Sequence, residues 1–158
     1  MRDPKWCFEW RSEYTISGHT KQINHITQLI GVEPYLSFNE GEETSSGSTA
    51  KCSWWRLRID GLPEASLALL LDKIEPKKSE LLAFIANEGL DHYFTLVEFT
   101  SAGDSGAELP PPLLRRVSDF GASLFIQVYT CDEITAGQQV AEPDRKHVAQ
   151  GGGIGEVD

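Results

Sequence analysis

Trp6, Phe8 and Trp10 fall at every second position near the start of the chain, and Tyr14 to Ile16 continue a β-rich run. Successive side chains alternate across a strand, so this period predicts a first strand with one apolar face. Ile23, Ile26 and Ile30, with Leu29 beside them, then recur at spacings of three and four, which is the period of a helix face. Thr20 is placed to cap that helix, Gly31 to end it, and Pro34 lies just beyond. The stretch from Gly41 to Thr49 has no apolar period and is built from Gly, Ser, Thr and Glu, so it reads as a mobile loop.

Alternation returns at Ser53 to Ile59. Trp55, Leu57 and Ile59 share one face of this second strand, and Trp54, Arg56 and Arg58 share the other. Pro63 opens a helix carrying Leu67, Leu70, Leu71 and Ile74. Pro76 interrupts it and pre-sets the first turn of another, which runs through Leu81, Leu82 and Ile85 to Gly89. Tyr93 to Phe99 is a third strand. Pro112 opens a helix with Leu113, Leu114 and Val117 that stops near Gly121, and Leu124 to Tyr129 is a fourth strand with Leu124, Ile126 and Val128 inward.

The order β-α-β-α-α-β-α-β predicts an α+β fold. It is a single domain over residues 1–131, with a small four-stranded sheet and three to four helices packed on it, of the split βαβ kind. Leu29, Ile59, Leu70, Leu82, Val97, Leu124 and Ile126 are expected in one core. Residues 132–158, with Gly137, Pro143 and Gly151 to Gly153, offer too little apolar surface to offset ordering entropy and read as a flexible acidic tail.

Composition supports one domain: 158 residues, 40% hydrophobic, with 7 Phe, 4 Tyr and 4 Trp. Charge adds more. The 24 acids against 14 bases give a net charge of -10, which disfavours nucleic acid and anionic membrane surfaces, since both need concentrated Lys and Arg. The acidity is concentrated in two places. Residues 39–49 hold Glu40, Glu42 and Glu43 with no base, and six acids from Asp132 onward face only Arg145 and Lys146. No apolar run is long enough to span a bilayer, and the N-terminus lacks a secretory pattern, so a cytoplasmic protein is expected. Cys7, Cys52 and Cys131 are odd in number, far apart and in or beside apolar runs, and read as small buried hydrophobes.

Candidate chemistry is sparse. His19, His25, His92 and His147 stand in no zinc-ligand spacing, so no metal and no cofactor are expected. Cys52-Ser53 and Ser105 lack the surroundings of a nucleophile elbow, and the glycines of Ala102 to Ala107 lack the Lys-Ser/Thr pair of a phosphate loop. No catalytic residue is assigned. Trp54 with Arg56 and Arg58 has the composition of a binding hot spot. The plainer alternative is that a helix or the acidic loop covers this face, with Glu42 or Glu43 neutralising the arginines. Lys77 and Lys78 sit unfavourably in a helix's first turn, where Glu75 and Glu80 can compensate. Arg115 and Arg116 read as a solvated face.

Ser66-Leu-Ala-Leu-Leu-Leu-Asp-Lys-Ile-Glu-Pro-Lys-Lys and Leu113 to Tyr129 resemble the bacterial family known as domain of unknown function 4279. Tyr14 to Gly18, Leu29 to Pro34 and the strand start at Ser53-Trp54 echo its first half, so the likeness covers about residues 8–131. Small acidic families of this kind look similar to immunity proteins encoded beside bacterial toxins. The resemblance therefore implies a non-enzymatic protein that binds and occludes a cognate toxin with a basic cleft. The partner-binding candidates are Glu40, Glu42, Glu43, Asp132 and Glu133, whose carboxylates would suit such a cleft, and Trp54, Arg56 and Arg58. Two alternatives stay open: an enzyme whose site assembles only in three dimensions, and a homo-oligomeric module using the Trp54 face.

Overall fold

Glu9–Gly18 form β1, the middle strand of the sheet. Its even positions, Trp10, Ser12, Tyr14 and Ile16, are buried on one face, while Arg11, Glu13, Thr15 and Ser17 occupy the other. The computed structural model describes residues 9–100 and 106–130. The expectations for Trp6, Phe8, Cys7, Cys131, His147, Ser105 and the 132–158 tail lie outside the described residues.

The remaining elements are α1 (His25–Ile30), β2 (Leu36–Phe38), β3 (Ser53–Asp60), α2 (Pro63–Ile74), a 3-10 turn (Glu75–Lys77), α3 (Lys78–Glu88), β4 (Asp91–Thr100), α4 (Pro111–Ser118) and β5 (Ser123–Thr130). The sheet order is β2-β3-β1-β4-β5. β1 pairs antiparallel with both β3 and β4, so those two run parallel to each other with β1 between them. The chain crosses from β3 to β4 through α2 and α3, which is a split βαβ unit. A second crossover, through α4, sets β5 parallel to β4.

Proline and glycine punctuate the helices as their chemistry requires. Pro63 stands at the start of α2, where its missing N–H is not needed. Pro76 breaks the following segment into the 3-10 turn. Gly31 (φ 73°) and Gly89 (φ 63°) end α1 and α3 in the left-handed conformation that side chains disfavour.

The sheet has five strands rather than four. β2 is three residues long, too short to show a period, and forms because Leu36 and Phe38 pair with Arg56 and Trp54 of β3. The first helix is shorter than expected. Thr20 Oγ1 accepts the Gln22 N–H at 3.1 Å, a turn follows from Gln22 to His25, and α1 begins only there.

All four α-helices lie on the same face. The core unites Trp10, Tyr14, Ile16, Trp55, Leu57, Phe94 and Leu96 of the strands with Ile26, Leu67, Leu70, Leu71, Ile74, Leu81, Ile85, Leu113 and Val117 of the helices. Leu29, Ile59, Leu82 and Leu124 pack at its margin. Three core expectations are corrected. Val97 is buried but points to the opposite face, aligned with Arg11. Ile126 is 59% exposed and Val128 50%, because β5 is an edge strand while α2 packs over β1 and β3.

Candidate functional site

The opposite face of the sheet carries no described helix, and its residues form a grid fixed by register. Across β3, β1 and β4 the rows are Asp60–Arg11–Val97, Arg58–Glu13–Thr95 and Arg56–Thr15–Tyr93. Glu13 sits near the middle, with its side chain only 6% exposed. Arg11 Nε approaches one of its oxygens at 2.9 Å and Arg56 Nη1 the other at 3.5 Å. Arg56 Nε also donates to Thr15 Oγ1 at 3.2 Å, and Arg58 Nε donates to Asp60 Oδ1 at 2.7 Å.

Each guanidinium also lies against an aromatic ring. Arg11 stands 4.9 Å from the centre of Phe99, Arg56 5.5 Å from Trp54 and Arg58 4.9 Å from Tyr35. Phe99 in turn stacks on Tyr129, and Tyr93 meets Phe125 edge to face. Thr15, Thr95 and Val97 are buried beneath these groups. Long arginine stems and flat rings do here what a second layer of helices does elsewhere. Burial raises the Tyr93 phenol, although Arg56 and a hydrogen bond from Thr15 pull it back.

Trp54, Arg56 and Arg58 do share this face, and Trp54 is half-buried, with its indole N–H on the Cys52 sulfur at 3.0 Å. Cys52 is likewise half-buried rather than enclosed as a small hydrophobe. The carboxylates that meet the arginines are Glu13 and Asp60, not Glu42 or Glu43.

The acidic stretch between β2 and β3 is corrected from a mobile loop to a small hydrogen-bonded hairpin. Gly41 N–H donates to Ala50 C=O, Ala50 N–H to Glu42 C=O and Thr44 N–H to Ser48 C=O, with Glu43 bridged to Thr49. Polar residues supply these bonds without any apolar period, so the order was invisible in the pattern. Glu42 accepts from both the backbone and side-chain amides of Asn39, which hold its carboxyl below the usual range. Glu40 meets His19 at 3.2 Å, and its N–H donates to Ser53 Oγ at 2.7 Å. Ser53 itself donates to Thr20 C=O, so its hydroxyl clamps the hairpin base to the strand. Glu42 and Glu43 remain exposed. Asp132 and Glu133 lie outside the described residues.

The other singled-out charges are engaged. Lys77 meets Glu80 at 3.4 Å, and Lys78 lies 5.2 Å from the centre of the Phe120 ring. Arg116 is not merely solvated: it grips Glu75 with two nitrogens, at 2.8 and 2.7 Å, and Asp72 at 2.6 Å. These bonds to Glu75 and Asp72 raise its pKa against the effect of burial. His25 packs on Phe84, and His92 Nδ1 lies 2.8 Å from the Tyr14 hydroxyl. Among the described residues no three His, Cys, Asp or Glu side chains gather as metal ligands.

Arg11, Glu13, Tyr35 and Tyr93 complete the arginine–aromatic surface and were missed from sequence. The alternation of Arg11, Glu13 and Thr15 against Trp10, Ser12 and Tyr14 was a readable signal. What set these residues beside Arg56 and Arg58 is the pairing register, which no local pattern encodes.

The fold and this surface define an α+β protein whose sheet is covered by helices on one side and by its own side chains on the other. The chain belongs to the family described as domain of unknown function DUF4279, whose model matches residues 8–131. No curated protein and no solved structure gives a significant match.

Proposed function

We propose that this chain is a non-enzymatic binding protein, an immunity protein that neutralises a cognate bacterial toxin by occluding it. The observation that carries the reading is the sheet face that no described helix covers, where three arginines lie on Phe99, Trp54 and Tyr35 around the buried Glu13. Trp, Tyr and Arg are the residues that dominate interface energetics, and here their side chains are already held by neighbours, so little ordering entropy remains to be lost on docking. The hairpin with Glu42 and Glu43 begins where Phe38 pairs with Trp54, and its exposed carboxylates suit the basic cleft of an enzyme that holds phosphates. Action in the cytoplasm belongs to the same proposal. No helix of the described residues is long and apolar enough to cross a membrane.

The experiment measures binding to the product of the adjacent reading frame. Trp54→Ala or Arg58→Ala should weaken it by about tenfold or more. Glu42→Gln with Glu43→Gln should slow association and flatten its salt dependence. Unchanged affinity in the first pair would remove the sheet face from the mechanism, and an absence of any binding would favour the enzyme alternative.

A further inference from the structure

The two edges of the sheet are unlike. β2 closes one edge with only three residues, just after Pro34, and so offers a very short template for another strand. β5 closes the other with eight residues, and among the described residues it pairs only with β4. Natural edge strands are usually blunted by charge, proline or a bulge. β5 has neither charge nor proline: the sequence from Phe120 to Cys131 carries no charged residue in a chain of net charge -10. Both faces of the strand also expose apolar side chains, with Phe125 at 49%, Ile126 at 59% and Val128 at 50%.

We propose that β5 pairs antiparallel with β5 of a second copy, giving a two-fold dimer with a continuous ten-stranded sheet. A second copy is the occupant that matches this strand, eight residues against eight, with no charge on the strand to repel its own copy. Two strongly acidic chains repel wherever their charged surfaces meet, and this neutral strand is where they can approach without opposing carboxylates. The two-fold axis also closes the assembly, whereas a β5-to-β2 contact would match eight residues with three and would propagate.

Symmetry limits the register as well. An axis perpendicular to the sheet sets residues of the same face opposite one another, so it must pass through a residue. Centring on Gln127 aligns Phe125 with the partner's Tyr129 and Ile126 with the partner's Val128, an aromatic pair on one face and an aliphatic pair on the other. At about half exposure, the three apolar side chains expose on the order of 300 Å² per copy, divided between the two faces of the strand. Together with the strand backbone this stays toward the lower end of the about 1,200–2,000 Å² of stable interfaces, so the dimer should be reversible and concentration-dependent. Because β1 and β4 separate β5 from β3, the dimer would leave Trp54, Arg56 and Arg58 accessible on each copy.

Sedimentation equilibrium of the full chain across the micromolar range tests this. The mass should climb from 17.5 kDa toward twice that value. Val128→Lys and Phe125→Lys, on opposite faces of β5 and already half-exposed, should each hold the chain monomeric with an unchanged circular dichroism spectrum. Leu69→Lys, on the exposed side of α2, should dimerise like the wild type. A wild-type monomer at all concentrations, as when residues 131–158 occupy the edge, would overturn the proposal. So would a dimer that survives both β5 variants, or growth beyond the dimer. Toxin binding is read separately, so either proposal can fail without the other.

Discussion

At the scale of single residues, the helix-covered face contains two polar contacts whose energetics can be separated. Ser12 of β1 and Ser66 of α2 share a buried hydrogen bond at 2.7 Å, while Ser66 has only a long 3.4 Å alternative at Pro63 C=O. Ser12→Ala should therefore cost about 1–2 kcal/mol, because it strands the Ser66 hydroxyl more than it removes a bond. Adding Ser66→Ala should cost less than the sum, and urea titration of the four forms measures the coupling. The second contact is His92 with Tyr14. Burial pushes the Tyr14 phenol up, so it stays protonated, and its hydroxyl shares a hydrogen bond with His92 Nδ1 at 2.8 Å. Burial also lowers the His92 pKa from 6.5, against an opposing pull from Asp91. Below 6.5 the unfolded chain then binds more protons than the folded one. Stability from this residue is complete above pH 6.5 and is lost as pH falls toward the lower folded value. His92→Gln should flatten the stability–pH profile in that window, and an equally steep profile in the variant would place the sensitivity elsewhere.

At the scale of elements, α4 is held at both faces of its short span. Leu113 and Val117 enter the core, while Arg116 reaches the end of α2 and the 3-10 turn. Arg116→Lys keeps the charge but loses the planar fork that meets Glu75 with two nitrogens. It should cost about 0.5–1 kcal/mol, since the pair is about a third exposed, and the cost should shrink in high salt. A salt-independent loss would point to packing of the Arg116 stem instead. Elements with a strong local signature were legible in the sequence. Pro63, Pro76, Gly31 and Gly89 punctuated the helices, and the Trp55–Leu57–Ile59 alternation assigned the faces of β3. β2 was not legible because three residues carry no period, and the acidic hairpin was not because its order rests on backbone and hydroxyl bonds. β5 shows a different failure. Its alternation was read correctly as a strand with Leu124, Ile126 and Val128 on one face, yet an edge position leaves that face largely uncovered. Periodicity reports which side chains share a face, and only topology decides whether anything lies over it.

At the scale of the molecule, the sheet is a boundary between two kinds of packing. On one side helices bury aliphatic and aromatic side chains into a single cluster; on the other, arginines and rings form a thin cover over Thr15, Thr95 and Val97. The arginine–aromatic surface was half legible in the sequence, through Trp54, Arg56 and Arg58, and its other half came from register. This division predicts where stability resides. Leu70 is fully buried among the helices, and Leu70→Ala should cost about 2–5 kcal/mol in transfer and cavity terms. Ile126→Ala should fall within about 0.5 kcal/mol when the chain is dilute, because its side chain is already largely in water. The comparison becomes more informative with concentration. If β5 self-pairs, association stabilises the folded chain by mass action, and Ile126 then lies against the partner's Val128. The cost of Ile126→Ala should accordingly grow as wild-type protein is concentrated, while the cost of Leu70→Ala stays level. Thermal melts of both variants over a dilution series separate the two behaviours: a large Ile126→Ala penalty already present at the lowest concentration would mean that something within the chain itself covers that edge.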